Sequence, residues 1–436
     1  MRFVLTDMTA LRYHRLARAG LVPKPQPCHV CSLAEAGASL KKADPTDFLW
    51  RHITPPLLAA QGIIARAAVE PGLAVAARNK CVPGRDFLYD LERPPSDDGD
   101  LRIQVLRNLV RWSRSALAKY DPAASQGRGA LDDLLGYDFP RLDLLVGEKS
   151  GKRKSNNVIP HTWQGDLPVG SLMRCNDSVL VISPELLLVR LSILHPGAPH
   201  LLTALGLEFA GRYALLPEGY ADCGKCIDEG KELVSADGRL LGDGYVRAKE
   251  ALDIDRLKDF FGRANVIRGR HARETALPWI RNGSESPFES ASNVSLVLPR
   301  TSGGFSVGTP ELNAKVSLSA EACALNNGVR SCRLDELFIG RSGQKVAVEP
   351  GGDLWHRGLA WKRDNGRRQA LEHDGYTVVA VSWDEFVDFG RWRVIAEDVA
   401  ARLDRGLGPV SSRMRERQAA VHVDLCNTDL LRETFG

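Results

Sequence analysis

The sequence predicts an α/β protein: a C-terminal mixed sheet flanked by helices, preceded by an N-terminal mixed α+β region. Three patterns carry that expectation. Apolar positions alternating around Leu334, Leu337 and Ile339, a GRSGQ turn and the apolar run at 346–348 read as a β-hairpin. Leu359, Arg363, Arg367, Arg368 and Leu371 recur at helical spacing between Gly358 and Asp374. The run YTVVAV, bounded by Gly375 and Ser382, is rich in β-branched residues and reads as a buried strand.

The chain has 436 residues, 44% of them hydrophobic, enough for sizeable cores in two or three domains. Lys and Arg number 58 against 54 Asp and Glu, a net charge of +4. That excess is too small to mark the whole chain as a nucleic-acid binder, so local patches must carry any such role. MRFVLTDMTALRYHRLARAG scatters charges and holds no apolar core segment, so no secretory leader is expected. The best apolar run, 179–194, contains Pro184, Glu185 and Arg190, so no membrane partner is expected either. Nine cysteines then read as reduced thiols of a cytoplasmic protein. Cys28 and Cys31, and Cys223 and Cys226, have the spacing of zinc ligands, but the pairs are far apart and read as free thiols rather than a zinc site.

Four regions are expected: 1–150 of unclear role, a mixed α+β domain at 151–280, a sheet domain at 284–405 and a loosely packed tail at 406–436. Near the start, RFVLT reads as a strand and 8–18 as a basic amphipathic helix with a solvated face. A helix is expected at 101–120, and GEKSGKRKSNN is a basic loop that either links domains or contacts phosphate. Residues 252–280 read as two helices, with Arg268, Arg270 and Arg273 forming either a solvated face or a nucleic-acid contact.

Chemistry concentrates in the hairpin. Asp335 lies on its first strand and Glu349 ends its second, so pairing across the turn brings both carboxylates to one rim, where a hard divalent cation finds oxygen ligands. Their oxygens are expected within about 4 to 6 Å of each other, the span one ion bridges. Asp353 and His356 follow closely.

In order, SPFES with Glu289, LPRTSGGF, PELN, the Asp335 strand, VAVE with Glu349, a Gly-Asp turn before His356, RDNGRRQAL and GYTVVAVS resemble the restriction-endonuclease-like PD-(D/E)XK superfamily. Within it the chain is most similar to the branch of very-short-patch-repair endonucleases. The resemblance implies Glu289, Asp335 and Glu349 as metal ligands, Mg²⁺ or Mn²⁺ as cofactor and DNA as substrate. His356 would act as general acid or orient the water, and Arg363, Arg367 and Arg368 would grip phosphates. Where such domains carry Lys, Gln or Asp two residues after the second strand carboxylate, this chain has Gly351; Asp353, Lys345 and His356 are the candidates to replace it. The middle region, with its strand pair, "SPE" and apolar helix, resembles AbiEi-type antitoxins and transcriptional regulators. That implies the alternative function, a catalytically inactive antitoxin-like regulator of a phage-defence or toxin–antitoxin system with a cognate toxin as partner. A third reading leaves the carboxylates in a structural ion network with Arg363 or Arg368.

Overall fold

The computed structural model describes residues 3–19, 23–30, 32–35, 142–147, 158–177, 179–215, 245–264, 266–351 and 359–427. The expected helix at 101–120, the basic loop after Gly147, Cys31, Cys223, Cys226, Asp353 and His356 lie outside the described residues. The chain forms two compact units, one of Met1–Arg190 with Ala214–Ala248 and Phe435–Gly436, the other of Leu191–Tyr213 with Lys249–Thr434.

In the first unit β1 (Phe3–Leu5), α1 (Asp7–Arg18), β2 (Gln26–Pro27), β3 (Leu142–Gly147), β4 (Val158–Trp163), β5 (Leu172–Arg174) and β6 (Val179–Ile182) build a six-stranded mixed sheet of order β2-β5-β6-β1-β3-β4. Three apolar residues in β1 cannot bury themselves alone; they pair in parallel with β6, with Phe3 beside Val179 and Leu5 beside Val181. One sheet thus takes strands from both sides of residue 150, and the division falls instead between Arg190 and Leu191. The solvated face expected on α1 is a correction: Leu11, Tyr13, His14, Arg15 and Leu16 are all buried. His14 Nε2 lies 2.8 Å from the Ile182 carbonyl, and burial pulls its imidazole down to about 4.

A buried charge network ties this unit together. Both ring nitrogens of His161 meet carboxylates, Nδ1 at 2.9 Å from Asp7 and Nε2 at 2.7 Å from Asp143, while Arg190 grips Asp7 with Nε at 2.9 Å and Nη2 at 2.6 Å. Burial pushes the His161 imidazole down, but the two carboxylates outweigh it and hold it at about 9. Burial likewise pushes the Asp7 carboxyl up, and His161 with Arg190 reverses that to about 2.

The chain continues through α2 (Pro184–Leu194), whose third residue donates its N–H to the Ser183 hydroxyl as the sequence suggests. α3 (Pro199–Ala210), a ribbon of β7 (Tyr213–Leu215) and β8 (Tyr245–Arg247), α4 (Ile254–Arg263) and α5 (Arg270–Ala276) follow.

The second unit then adds α6 (Pro287–Val297), β9 (Glu311–Ser317), α7 (Ala320–Leu325), β10 (Ser331–Ile339), β11 (Lys345–Pro350), α8 (Leu359–His373), β12 (Tyr376–Val381), α9 (Trp383–Val387), α10 (Phe389–Arg402) and α11 (Ser412–Cys426). Its sheet runs β12-β11-β10-β9, with β11 and β12 parallel and the other pairs antiparallel. The expected hairpin is β10 and β11, and β12 lies beside β11, but the buried strand expected there is a correction: β12 is at the edge of the sheet and only its Val381 is buried. Leu371 of α8 packs with Ala314, Val316, Cys332, Leu334, Leu337 and Ala347 in one apolar cluster, which places α8 on the sheet.

The tail is a second correction, because α11 is a capped helix with Gln418, Val421, His422 and Leu425 buried. It approaches so closely that a Cβ on Gly303, at φ +94°, would lie 2.5 Å from Val421 Cγ2.

Candidate metal and nucleic-acid site

Glu289 is placed by the start of α6. Ser286 caps the helix by accepting the Glu289 N–H at 3.1 Å, Pro287 pre-sets the first turn, and Phe288 packs edge-on against Trp383 with ring centroids 5.1 Å apart. The Glu289 carboxylate turns back to accept the Glu285 N–H at 2.8 Å and Asn313 Nδ2 at 3.1 Å. Burial pushes this carboxyl up, against the pull of those hydrogen bonds.

Asn313 marks a break in the sheet. Leu334 pairs with Ala314 and Glu336 with Leu312, but the pair between them, Asn313 and Asp335, is missing from the ladder. Asn313 adopts φ +50°, a left-handed conformation that Asn tolerates better than most residues. The alternation of β10 also shifts at this point, since Leu334 and Leu337, three apart, share one apolar cluster.

On the other side, Glu336 pairs with Val348, so one further step sets Asp335 opposite Glu349. Asp335 makes no hydrogen bond or ion pair with a described residue. Burial raises its carboxyl to about 8, and the neighbouring charges of Glu289 and Glu349 add to the rise against Arg367 and Arg333. The three predicted carboxylates are thus electrostatic neighbours. Even so, among the described residues no group of three or more His, Cys, Asp and Glu is placed to hold a metal ion.

One of the three, Glu349, already has a partner. Arg367 of α8 grips both its oxygens, Nη2 at 2.6 Å from Oε1 and Nη1 on Oε2, and Nη2 also donates to the Arg333 carbonyl at 2.6 Å. Arg367 is therefore an internal partner and not the phosphate grip expected of it. It lies four residues before Leu371, which faces the core, so helical spacing alone aims it at the sheet. Lys345 does not replace the residue missing at Gly351, since its ammonium sits 4.6 Å above the Tyr376 ring at the other end of β11.

The remaining basic residues separate. Arg368 is exposed and pairs with Glu372 at 2.9 Å, while α8 carries Arg363 without its side chain being among those described. Arg268 and Arg270 are exposed. Arg273 is buried, donating to the Ser192 hydroxyl at 2.8 Å and to the Arg268 carbonyl at 3.1 Å, so it holds its own turn together instead of facing a duplex.

Sequence reading missed Glu336, which is fully buried. Burial raises its carboxyl to about 8, its Oε2 accepts from Asn293 at 3.4 Å and its Oε1 has no partner. Its only signal was a second acid after Asp335, between Leu334 and Leu337 of a strand that should alternate.

The chain matches no family model, no curated protein and no solved structure. Among the described residues no helix is long and apolar enough to cross a membrane.

Proposed function

We propose that the C-terminal sheet is a restriction-endonuclease-like domain that hydrolyses DNA phosphodiester bonds with a divalent cation. The observation that carries this reading is Asp335: a carboxyl without a hydrogen-bond donor, raised to about 8 by burial and two adjacent acids, at a break in the ladder. Such a donor set fits a hard cation, which Asp335 and Glu289 would hold, with Glu349 once Arg367 releases it. The ion would lower the pKa of a bound water and neutralise phosphate oxygens. Arg367 supplies the positive charge beside the second carboxylate that Gly351, with no side chain, does not. Exposed Arg268, Arg270 and Arg368 are the phosphate contacts of this reading. Nicking of supercoiled plasmid with Mg²⁺ or Mn²⁺, lost in Asp335→Ala, tests it.

A second reading is favoured by the Arg367 grip itself. Both oxygens of Glu349 are occupied, as in a domain retained for binding after losing catalysis, which is the antitoxin-like regulator. DNA binding that needs no divalent cation, without cleavage, distinguishes it.

A further inference from the structure

A separate feature of the second unit is a cavity of about 610 Å³ lined by Arg300, Phe305, Arg405, Leu407, Arg415 and Gln418 together with the rest of the loop between α10 and α11. Its volume is that of clefts that enclose small ligands. Arg300, Arg405 and Arg415 line it with two acids, Glu397 and Asp404. Both acids already have donors of their own: Glu397 accepts from Arg393 at 3.3 Å and Asp404 from Gln344 at 3.1 Å.

The arginines are far less satisfied. Arg300 spends one nitrogen on the Gly408 carbonyl at 2.7 Å, which braces the loop. Arg405 Nε is buried without an acceptor, and neither Arg405 nor Arg415 pairs with a carboxylate of a described residue. The Arg405 head is also held in place, because it rests against Gly308, where a Cβ would lie 2.9 Å from Cζ and Nη1. A pre-positioned guanidinium with unspent donors beside two others is the chemistry that recognises a doubly charged phosphate.

We propose that this cavity binds a phosphomonoester, carried either by a free molecule of nucleotide size or by the end of a nucleic-acid strand. The apolar wall of Phe305 and Leu407 would cover the body of the ligand and the arginines its phosphate. The site is distinct from the carboxylates. The bond between Gln344 and Asp404 ties it to the turn end of the hairpin, whereas Asp335 and Glu349 lie at the opposite end, about 13 Å along β11 at the usual rise per residue. It therefore stands whether or not the domain cuts DNA.

The test is titration of the full-length protein with AMP, adenosine, and one single-stranded oligonucleotide made with a 5′-phosphate and with a 5′-hydroxyl. Arg405→Gln and Arg415→Gln are compared with wild type, and unfolding curves verify their folding. Arg415 is exposed on α11, so its variant remains informative if the Arg405 variant does not fold. Binding of AMP or of the 5′-phosphate strand is expected, weakened about tenfold or more by each loss of a charged donor, with adenosine and the 5′-hydroxyl strand bound more weakly. Preference for AMP assigns the small molecule and preference for the 5′-phosphate strand assigns the strand end. The proposal is overturned if neither phosphate probe binds, if their non-phosphorylated counterparts bind equally well, or if the folded variants bind like wild type.

Discussion

Arg367 closes a two-point ion pair on Glu349, with Nη2 2.6 Å from Oε1 and Nη1 on Oε2. The pair neutralises one of three neighbouring acids, so its removal should leave Arg333, itself paired with Glu285, as the cation acting on Asp335. Arg367→Ala is expected to lower stability by about 2 kcal/mol, the scale of a charge-assisted hydrogen bond with a part-buried partner. Mn²⁺ should then restore more stability to the variant than it adds to wild type, because the ion replaces the guanidinium. Denaturant unfolding with and without Mn²⁺ checks both points.

Asp335 sets a pH dependence. Its carboxyl titrates near 8 in the folded protein against an ordinary 3.8, so between those values the native state holds a proton that the unfolded chain has released. That contribution is complete below 3.8 and is lost as pH rises through about 8. Asp335→Asn should therefore gain stability relative to wild type as pH rises from 3.8 to about 8 and hold that gain above it, and a gap in melting temperature that stays constant across this range would contradict this.

The network of Asp7, Asp143, His161 and Arg190 behaves differently at its two ends. His161 is raised from 6.5 to about 9, so its contribution is full below 6.5 and lost as pH rises through about 9. Asp7 is lowered from 3.8 to about 2, so its share is present above 3.8 and lost as pH falls through about 2. His161→Ala should cost about 1–3 kcal/mol near neutrality, since it strips donors from two buried carboxylates, and should flatten the alkaline decline. Urea unfolding across pH reads both.

Among the basic residues, exposure predicts opposite outcomes. Arg268→Ala and Arg270→Ala should weaken DNA binding, reduce its salt dependence and leave stability within about 0.5 kcal/mol of wild type. Arg273→Ala should instead destabilise the fold, because its guanidinium ties Ser192 and two backbone carbonyls together. Anisotropy with a labelled duplex, run beside thermal unfolding, separates the two classes.

Much of the second unit was legible because its signals are local. The hairpin, the Tyr376–Val381 strand and the Ser286 cap each follow from residues adjacent in the chain. Glu289, Asp335 and Glu349 could be brought to one place from their order along the elements, and the charges of the first and third do act on Asp335. What escaped depends on pairing across long separations. β1 pairs with β3 and with β6, the latter some 176 positions on in the pair of Phe3 with Val179, so neither the burial of α1 nor the mixing of regions around residue 150 was readable. α11 looked loose because its charged residues mask the buried positions Gln418, Val421, His422 and Leu425. The Arg367 grip was missed for a different reason: an arginine at helical spacing suits phosphate and carboxylate equally, and only packing of Leu371 decides between them.

Cleavage of supercoiled plasmid by purified full-length protein, with Mg²⁺ or Mn²⁺ against a chelator control and with Asp335→Ala alongside, tests the central claim most directly. The account predicts slow, cation-dependent nicking by wild type, because Arg367 must release Glu349 before that carboxylate can hold the ion, and none by Asp335→Ala. Absence of nicking by wild type with either ion, or equal nicking by the Asp335→Ala protein, would contradict it.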